Sequence, residues 1–233
     1  MLIRSWNLFH GNTMPPGRRA YLREMVELAS ADRPDVLCLQ EVPGWALGRL
    51  GGWAGMTDLT VWTKRATLGP LPIPTRLGRA LTAPHHGIIR SAFAGQGNAI
   101  LLAPGLTAHT HETRTFTYDW GKEPRAAQWA DLGHVVVANV HCSHDSNGIT
   151  ELASILEWLG PVRPLVLAGD FNTTPERSAT IASFAGAILG SIDQVLVRGA
   201  IVSTRAWTED ERRYAGRLLS DHAPVEADVS VGR

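Results

Sequence analysis

Polar residues recur in this chain where apolar runs stop. Asn7 closes the first run. Gln40 and Glu41 close DVLCLQE, and His141 closes VVVANVH. Asp170 closes LVLAGD with Asn172 two residues on, and Ser220, Asp221 and His222 stand directly before APVEADV. Taken singly, each has an ordinary explanation: a turn residue, a solvated carboxylate, an Asx turn in GDFNTTP, a satisfied core histidine. Taken together they place carboxylate, amide and imidazole groups at strand ends, where a rigid scaffold holds side chains at the rim of a core. The chemistry that suits such a set is phosphoryl hydrolysis with a hard divalent cation. Mg²⁺ or Mn²⁺ prefers carboxylate and carbonyl oxygens, which Glu41 with Asp170 or Asp221 supplies. Asn172 or Asn7 orients water or a phosphate oxygen without adding negative charge. His222 exchanges a proton near neutral pH, and Asp193, at the start of SIDQVLV, is the candidate for fixing its tautomer.

These groups need strands to carry them. Met1 to Leu8, Asp35 to Val42, Asn98 to Ala103, Pro164 to Asp170, Ile192 to Val197 and Ala223 to Val231 read as strands. Arg125 to Leu132 and His134 to His141 flank Gly133 and read as a hairpin. Leu22, Met25, Val26 and Ala29 share one face of a helix over Arg18 to Ser30. Leu152, Ile155, Leu156 and Leu159 do so over Thr150 to Leu159. Several strands follow one another without a helix between, so strict βαβ alternation is not expected. The expectation is an α/β fold of two mixed sheets packed face to face with helices outside, in one domain spanning 1–233.

The 233 residues carry 44% hydrophobic and 19% charged residues with zero formal net charge, so no global field draws the protein to nucleic acid or membrane. Cys38 and Cys142 lie in apolar runs and read as reduced core thiols, and there is no CxxC pair to build a zinc site. The first residues contain no apolar segment of signal-peptide type, and no run is long enough for a membrane helix, so a cytoplasmic protein without stable membrane insertion is expected.

In order along almost the whole chain, SWNL, LCLQEV, GNAILL, EPRAAQW, NVHCSH, LAGDFNTTP, SIDQVLV and SDHAPV resemble the endonuclease/exonuclease/phosphatase superfamily, the deoxyribonuclease-I-like fold. GDFN combined with an upstream LQE and a C-terminal SDHxPV is specific, whereas any one alone is weak. The resemblance implies a four-layered α/β sandwich and an Mg²⁺- or Mn²⁺-dependent phosphoric ester hydrolase, expected as a monomer. It implies that Glu41 is the main metal ligand, with Asn7 and Asp221 assisting. It implies that Asp170 orients or deprotonates the attacking water, that Asn172 steadies the phosphate, and that His222, supported by Asp193, contacts it. His141 resembles the second histidine of the nuclease and sphingomyelinase-type branches, and Arg125 a substrate-facing arginine. Two features depart from the pattern. No tyrosine matches the residue some repair nucleases place near the phosphate, and the carboxylate supporting His141 is left between Glu112 and Glu123. Both departures favour a two-histidine branch.

The substrate is less legible. Leu59 to His111 holds no Asp or Glu but carries Lys64, Arg65, Arg76, Arg79, Arg90, His85 and His86. It reads either as a basic insertion, at about 59–97, that grips a polyanion, or as a solvated loop. The leading expectation is a nuclease of DNA or RNA. The alternatives are a phosphodiesterase or phosphatase for a lipid headgroup or small phosphorylated metabolite, and a non-catalytic binding module, which the intact Glu41, Asp170, Asn172, Asp221 and His222 disfavour.

Overall fold

The structure is a computed structural model and describes residues 1–89, 92–116, 124–162 and 164–231. In chain order its first strands are β1 (Leu2–Asn7), β2 (Thr13–Met14), β3 (Val36–Pro43), β4 (Thr57–Lys64), β5 (Thr67–Leu68), β6 (Leu71–Pro72), β7 (Gln96–Leu102) and β8 (Thr110–Phe116). There follow β9 (Arg125–Asp131), β10 (Val136–His141), β11 (Leu165–Asp170), β12 (Asp193–Arg198), β13 (Ile201–Ala206), β14 (Arg213–Tyr214), β15 (Arg217–Leu219) and β16 (Val225–Ser230). The helices are α1 (Leu22–Ser30), α2 (Leu50–Ala54), α3 (Thr75–Thr82), α4 (His86–Ile89), α5 (Asp145–Leu159) and α6 (Ala179–Ala182).

Two mixed sheets dominate, ordered β13-β16-β1-β3-β7-β4 and β12-β11-β10-β9-β8. Each contains one parallel pair. β1 runs beside β3 from Ile3 opposite Val36 to Asn7 opposite Gln40, and β10 runs beside β11 from Val136 opposite Leu165 to His141 opposite Asp170. The inner faces meet through Ile3, Val36, Cys38 and Ile100 on one side and Val137, Val166, Ala168 and Val195 on the other. The outer face of the first sheet buries Trp6, Leu37 and Leu39 against Met25, Val26 and Ala29 of α1. That of the second buries Ala138, Val140 and Leu167 against Leu152, Ile155 and Leu159 of α5. The result is a four-layered α/β sandwich. Burial on both faces explains why β3, β10 and β11 read as continuous apolar runs and not as alternating ones.

The apolar filling changes to amides toward one end of the sandwich. Gln40 Nε2 donates to Ser5 Oγ at 3.1 Å and to Asn139 Oδ1 at 2.7 Å, and Asn139 Nδ2 donates to the carbonyls of Leu39 and Ala99 at 3.1 and 2.8 Å. This layer couples the two sheets across the core with its polar groups largely matched to one another, as burial requires. It lies directly beneath the strand ends that carry Asn7, Glu41, His141 and Asp170.

The predicted strands all exist, and the hairpin forms as β9 and β10. The first helix starts at Leu22 and not Arg18, because Tyr21 N donates to Gly11 O and ties that stretch back to the turn after β1. The second starts five residues early: Gly148 sits against the Ser143 carbonyl, where a Cβ would be 2.1 Å away, so this glycine belongs to the helix and does not precede it. The insertion boundary near residue 59 also moves. Residues 57–64 are the edge strand β4, paired with β7 from Thr57 opposite Leu102 to Lys64 opposite Gln96, so the inserted part begins after Lys64. It consists of the β5–β6 hairpin, α3 and α4, and Arg90 lies outside the described residues. Cys38 and Cys142 are buried free thiols. No helix among the described residues is long and apolar enough to cross a membrane.

Candidate active site

Because β1 and β3 are parallel, as are β10 and β11, their C-terminal ends emerge together, and the polar ends of both sheets share one rim. β12 runs antiparallel to β11, so its first residue, Asp193, stands opposite the last residue of β11, Asp170. The turn before β16 brings in His222. Its backbone is strongly held: His222 N donates to Ser220 Oγ at 3.1 Å, Ser220 Oγ donates to Asn7 O at 2.7 Å, and the His222 carbonyl accepts from Trp6 Nε1 at 3.0 Å and Arg212 Nη1 at 3.2 Å.

The side chains form one connected set. Asp193 Oδ2 lies 2.8 Å from His222 Nδ1, and Asp170 Oδ2 lies 3.9 Å from the same nitrogen. Asn7 Nδ2 donates to Asp170 Oδ2 at 3.0 Å, and the Asn172 main-chain N–H donates to Asp170 Oδ1 at 2.9 Å. The Asn172 side chain reaches back to the Cys142 carbonyl at 2.8 Å. His141 Nε2 faces Asp170 Oδ2 at 3.5 Å and Glu41 Oε1 at 3.9 Å. Its Nδ1 faces Arg125 Nη1 at 3.4 Å. A guanidinium only donates, so Nδ1 is the acceptor and the His141 proton sits on Nε2. Asp221 is exposed, with Oδ1 3.8 Å from His222 Nε2.

Glu112 does not support His141: it is exposed on β8, and Glu123 lies outside the described residues. Three groups without an assigned role in the sequence complete the rim. His10 Nε2 lies 3.0 Å from Glu41 Oε2, while Trp6 and Arg212 brace the His222 turn. A histidine before glycine just after the first strand was the available signal for His10. Phe9, His10, Glu41, Asn172 and Ser220 all have positive φ, and among the described non-glycine residues only Arg33 and Ala215 share that property elsewhere. Each such residue costs on the order of 1 kcal/mol, a strain that concentrates where side chains must be aimed. At Glu41 the aim is achieved by the bulge that breaks the β3–β7 register between Leu39 and Val42. Gly169 is needed for a different reason. A Cβ there would lie 1.9 Å from the Val140 carbonyl, so only glycine lets β11 deliver Asp170 beside His141.

Electrostatics sorts the titratable groups. Burial opposes the Glu41 charge, but the His10 hydrogen bond and the nearby His10 and His141 outweigh it and hold Glu41 below the usual carboxylate range. Burial, reinforced by Asp193, pushes Asp170 up to about 7. Burial also raises Asp193, against the pull of His222. His141 is pushed down to about 3 by burial and then by Arg125. Burial would lower His222 as well, yet its hydrogen bond to Asp193 and the charges of Asp193 and Asp170 carry it up to about 10.

Asp170, Asp193 and His222 offer candidate ligand atoms within 4.8 Å of one another. In that trio the His222 proton already bridges to Asp193, which suits proton handling better than coordination. Glu41 is the better seat for a hard cation. It is anionic at neutral pH, its Oε1 lies 3.9 Å from His141 Nε2, the Asn7 side chain also acts on its carboxylate, and the Asn7 amide oxygen, accepting from Phe9 N at 3.0 Å, keeps a second lone pair.

Residues 5–222 match the model of the Endonuclease/Exonuclease/phosphatase family. No curated protein sequence matches the chain. Among solved structures, it is similar to a functionally unknown conserved protein from Enterococcus faecalis V583, with TM-score 0.74, 20% identity and 100% of each chain covered. It is similar to the endonuclease/exonuclease/phosphatase from Beutenbergia cavernae DSM 12333, with TM-score 0.69, 19% identity, and 100% of this chain and 72% of that one covered. It is also similar to the mannosyl-6-phosphatase Bt3783 of Bacteroides thetaiotaomicron VPI-5482, with TM-score 0.66, 15% identity and 99% of each chain covered. At these identities the likeness to solved structures speaks for the fold.

Proposed function

We propose, on the premise that this chain belongs to the endonuclease/exonuclease/phosphatase family, that it hydrolyses phosphodiester bonds of DNA or RNA by attack of water, assisted by Mg²⁺ or Mn²⁺. Family members are phosphoester hydrolases and are generally dependent on a divalent metal. The observation that carries the reading is the Asp193–His222–Asp170 arrangement, with 2.8 Å between Asp193 Oδ2 and His222 Nδ1. It keeps one imidazole cationic beside a carboxylate whose proton affinity is tuned toward neutrality.

In this reading Asp170, steadied by Asn7 and the Asn172 N–H, accepts a proton from the attacking water. His222 donates Nδ1–H to Asp193 and presents Nε2–H to a phosphate oxygen, offsetting the charge that accumulates in the transition state. Neutral His141 presents its Nε2–H toward the same centre without adding charge, and Arg125 holds it in that tautomer. Glu41, with Asn7, would hold the cation, and the exposed Asp221 would contact it or its water. When bound, the cation stabilises negative charge on the phosphate oxygens and the leaving oxygen. The Asn172 amide oxygen remains available to order water or the phosphate.

The preference for nucleic acid is supported by the acid-free basic stretch, of which Arg65, Arg76 and Arg79 are exposed. A second reading, a phosphodiesterase or phosphatase for a lipid headgroup or small phosphorylated metabolite, has its own support. Leu68, Leu71 and Ile88 of the inserted segment are 48%, 66% and 76% exposed beside those cations, a pairing that suits an anionic membrane surface. A structural neighbour is, moreover, a sugar phosphatase by name. A screen with Mg²⁺ or Mn²⁺ against plasmid DNA, single-stranded DNA, RNA, sphingomyelin vesicles, mannose 6-phosphate and bis(p-nitrophenyl) phosphate separates them. Turnover of vesicles or sugar phosphate with none of nucleic acid would remove the nuclease reading.

A further inference from the structure

One groove has no part in the chemistry above. Two contiguous depressions of about 240 and 320 Å³ share Arg19, Ala20, Trp45 and Arg79. Arg18 and His86 close the first, and Arg23, Arg49 and Trp53 line the second. The groove starts beside the reacting centre. His86, 4% exposed, lies with Nε2 2.6 Å from the His10 carbonyl, and the His10 ring is the one paired with Glu41.

Its charge is only partly matched within the chain. Arg19 pairs with Glu24, which also lines the groove, and Arg23 pairs with Glu27 at 2.8 Å. Arg18, Arg49 and Arg79 are exposed and have no carboxylate partner among the described residues. Arg79 is nevertheless held in place, its guanidinium 4.3 Å from the centroid of the Trp45 ring, and Trp45 meets Trp53 edge-on with centroids 6.4 Å apart. A guanidinium stacked on an aromatic ring and lacking an internal carboxylate keeps its N–H fork for an outside anion. The two walls are fixed to each other. His86 N donates to Arg18 O at 3.1 Å and Gly87 N to Gly17 O at 2.8 Å, in a contact so close that a Cβ on Gly87 would lie 2.6 Å from that oxygen.

A single phosphate monoester needs one seat, whereas this is an extended run of cations with indole surfaces between them. A planar lipid surface cannot follow a concave groove. A chain of phosphates with unstacked bases can, its charges meeting the arginines and its rings meeting tryptophan. We propose that this groove binds single-stranded nucleic acid flanking the cleaved bond, with Arg18, Arg49 and Arg79 as phosphate contacts. The proposal rests on the nuclease reading and deepens it.

The test compares the full chain with a variant carrying Arg18→Ala, Arg49→Ala and Arg79→Ala, and with a control losing equal charge elsewhere through Arg114→Ala, Arg177→Ala and Arg213→Ala. Each is assayed with Mg²⁺ on a long single-stranded oligonucleotide and on bis(p-nitrophenyl) phosphate across a salt series, with melting temperatures confirming folding. The groove variant is expected to lose roughly an order of magnitude in kcat/KM on the oligonucleotide relative to the small diester. Its log–log salt slope should flatten by about 2, at about 0.7 for each single-strand phosphate contact removed, while the control keeps the parent slope. If the parent cleaves the oligonucleotide and the groove variant matches it in both respects, the groove assignment is overturned and the nuclease reading stands. If the parent hydrolyses bis(p-nitrophenyl) phosphate or vesicle-borne phosphodiester but no nucleic acid, the nuclease reading falls and takes the groove with it.

Discussion

His141 and His222 flank the same oxygen of Asp170, at 3.5 and 3.9 Å, yet their protonation is driven in opposite directions. Both are buried enough for desolvation to favour the neutral ring. The difference lies in what faces Nδ1. Arg125 faces it in His141, adding repulsion to burial, and Asp193 faces it in His222, supplying an acceptor and a countercharge. One residue type thus serves as a neutral donor on the β10 side of the rim and as a cation on the β16 side. Neighbours chosen by strand order, and not the imidazole itself, make the distinction.

Removing the cation should have the largest effect on this asymmetric site. Chelation is expected to abolish turnover on every phosphoester, with Mg²⁺ or Mn²⁺ restoring it, and Glu41→Gln should raise the metal concentration needed for half-maximal rate. Full activity in metal-free protein would remove Glu41 from its role. Next comes His222→Ala, expected to lower kcat by roughly two to four orders of magnitude, with metal affinity near that of the parent. A lower melting temperature with kcat nearly intact would instead make His222 a structural residue. Asp193→Asn should cost less than His222→Ala, and the double variant little more than His222→Ala, because the pair acts as a unit; additive losses would dissolve it.

The pH profile sharpens the contrast. The rate should rise as Asp170 ionises, at or below about 7 since a bound cation favours the carboxylate, and fall as His222 deprotonates near about 10. Stability follows the same logic. The raised His222 contributes stability that is complete below its unfolded value of about 6.5 and is lost as pH climbs through about 10. The lowered His141 contributes stability that is complete above about 6.5 and is lost as pH falls toward about 3. Melting curves of the parent and Asp193→Asn should therefore converge toward alkaline pH. In NMR titrations Arg125→Ala should move His141 upward; an unmoved His141 would leave burial, with the neighbouring His222 and His10, as the cause of its lowering. The smallest effect is expected at Glu112→Ala, an exposed change that should shift stability by less than about 0.5 kcal/mol and leave kcat alone.

What could be read in the sequence follows from burial. β1, β3, β10 and β11 are covered on both faces, so their apolar runs and polar endpoints stand out, and the rim residues were legible with them. β4, β8 and β13 are edge strands whose exposed Thr, Glu and Arg imitate a loop, so THETRTF and IVSTRA gave no signal. The helix LGGWA was masked by its glycines. The His-Gly pair after the first strand marks His10 but not its role, which depends on a left-handed turn and on the bulge at Glu41, about thirty residues further on, neither of which has a periodicity. Only one part of the groove could be read, Arg79 in the basic stretch, since its other arginines come from two separate segments joined to it only by packing.

The place of β16 has a consequence for biosynthesis. This strand slots between β13 and β1, and Met1 N reaches the Val229 carbonyl at 2.9 Å. β1 can pair with β3 soon after both are made, but it stays without β16 until more than two hundred further residues have followed. The same late stretch brings His222 to the rim. Each growing chain is therefore left without its proposed proton donor until the first sheet can close around β16, so closure of that sheet and assembly of the proposed proton-transfer pair arrive as one event.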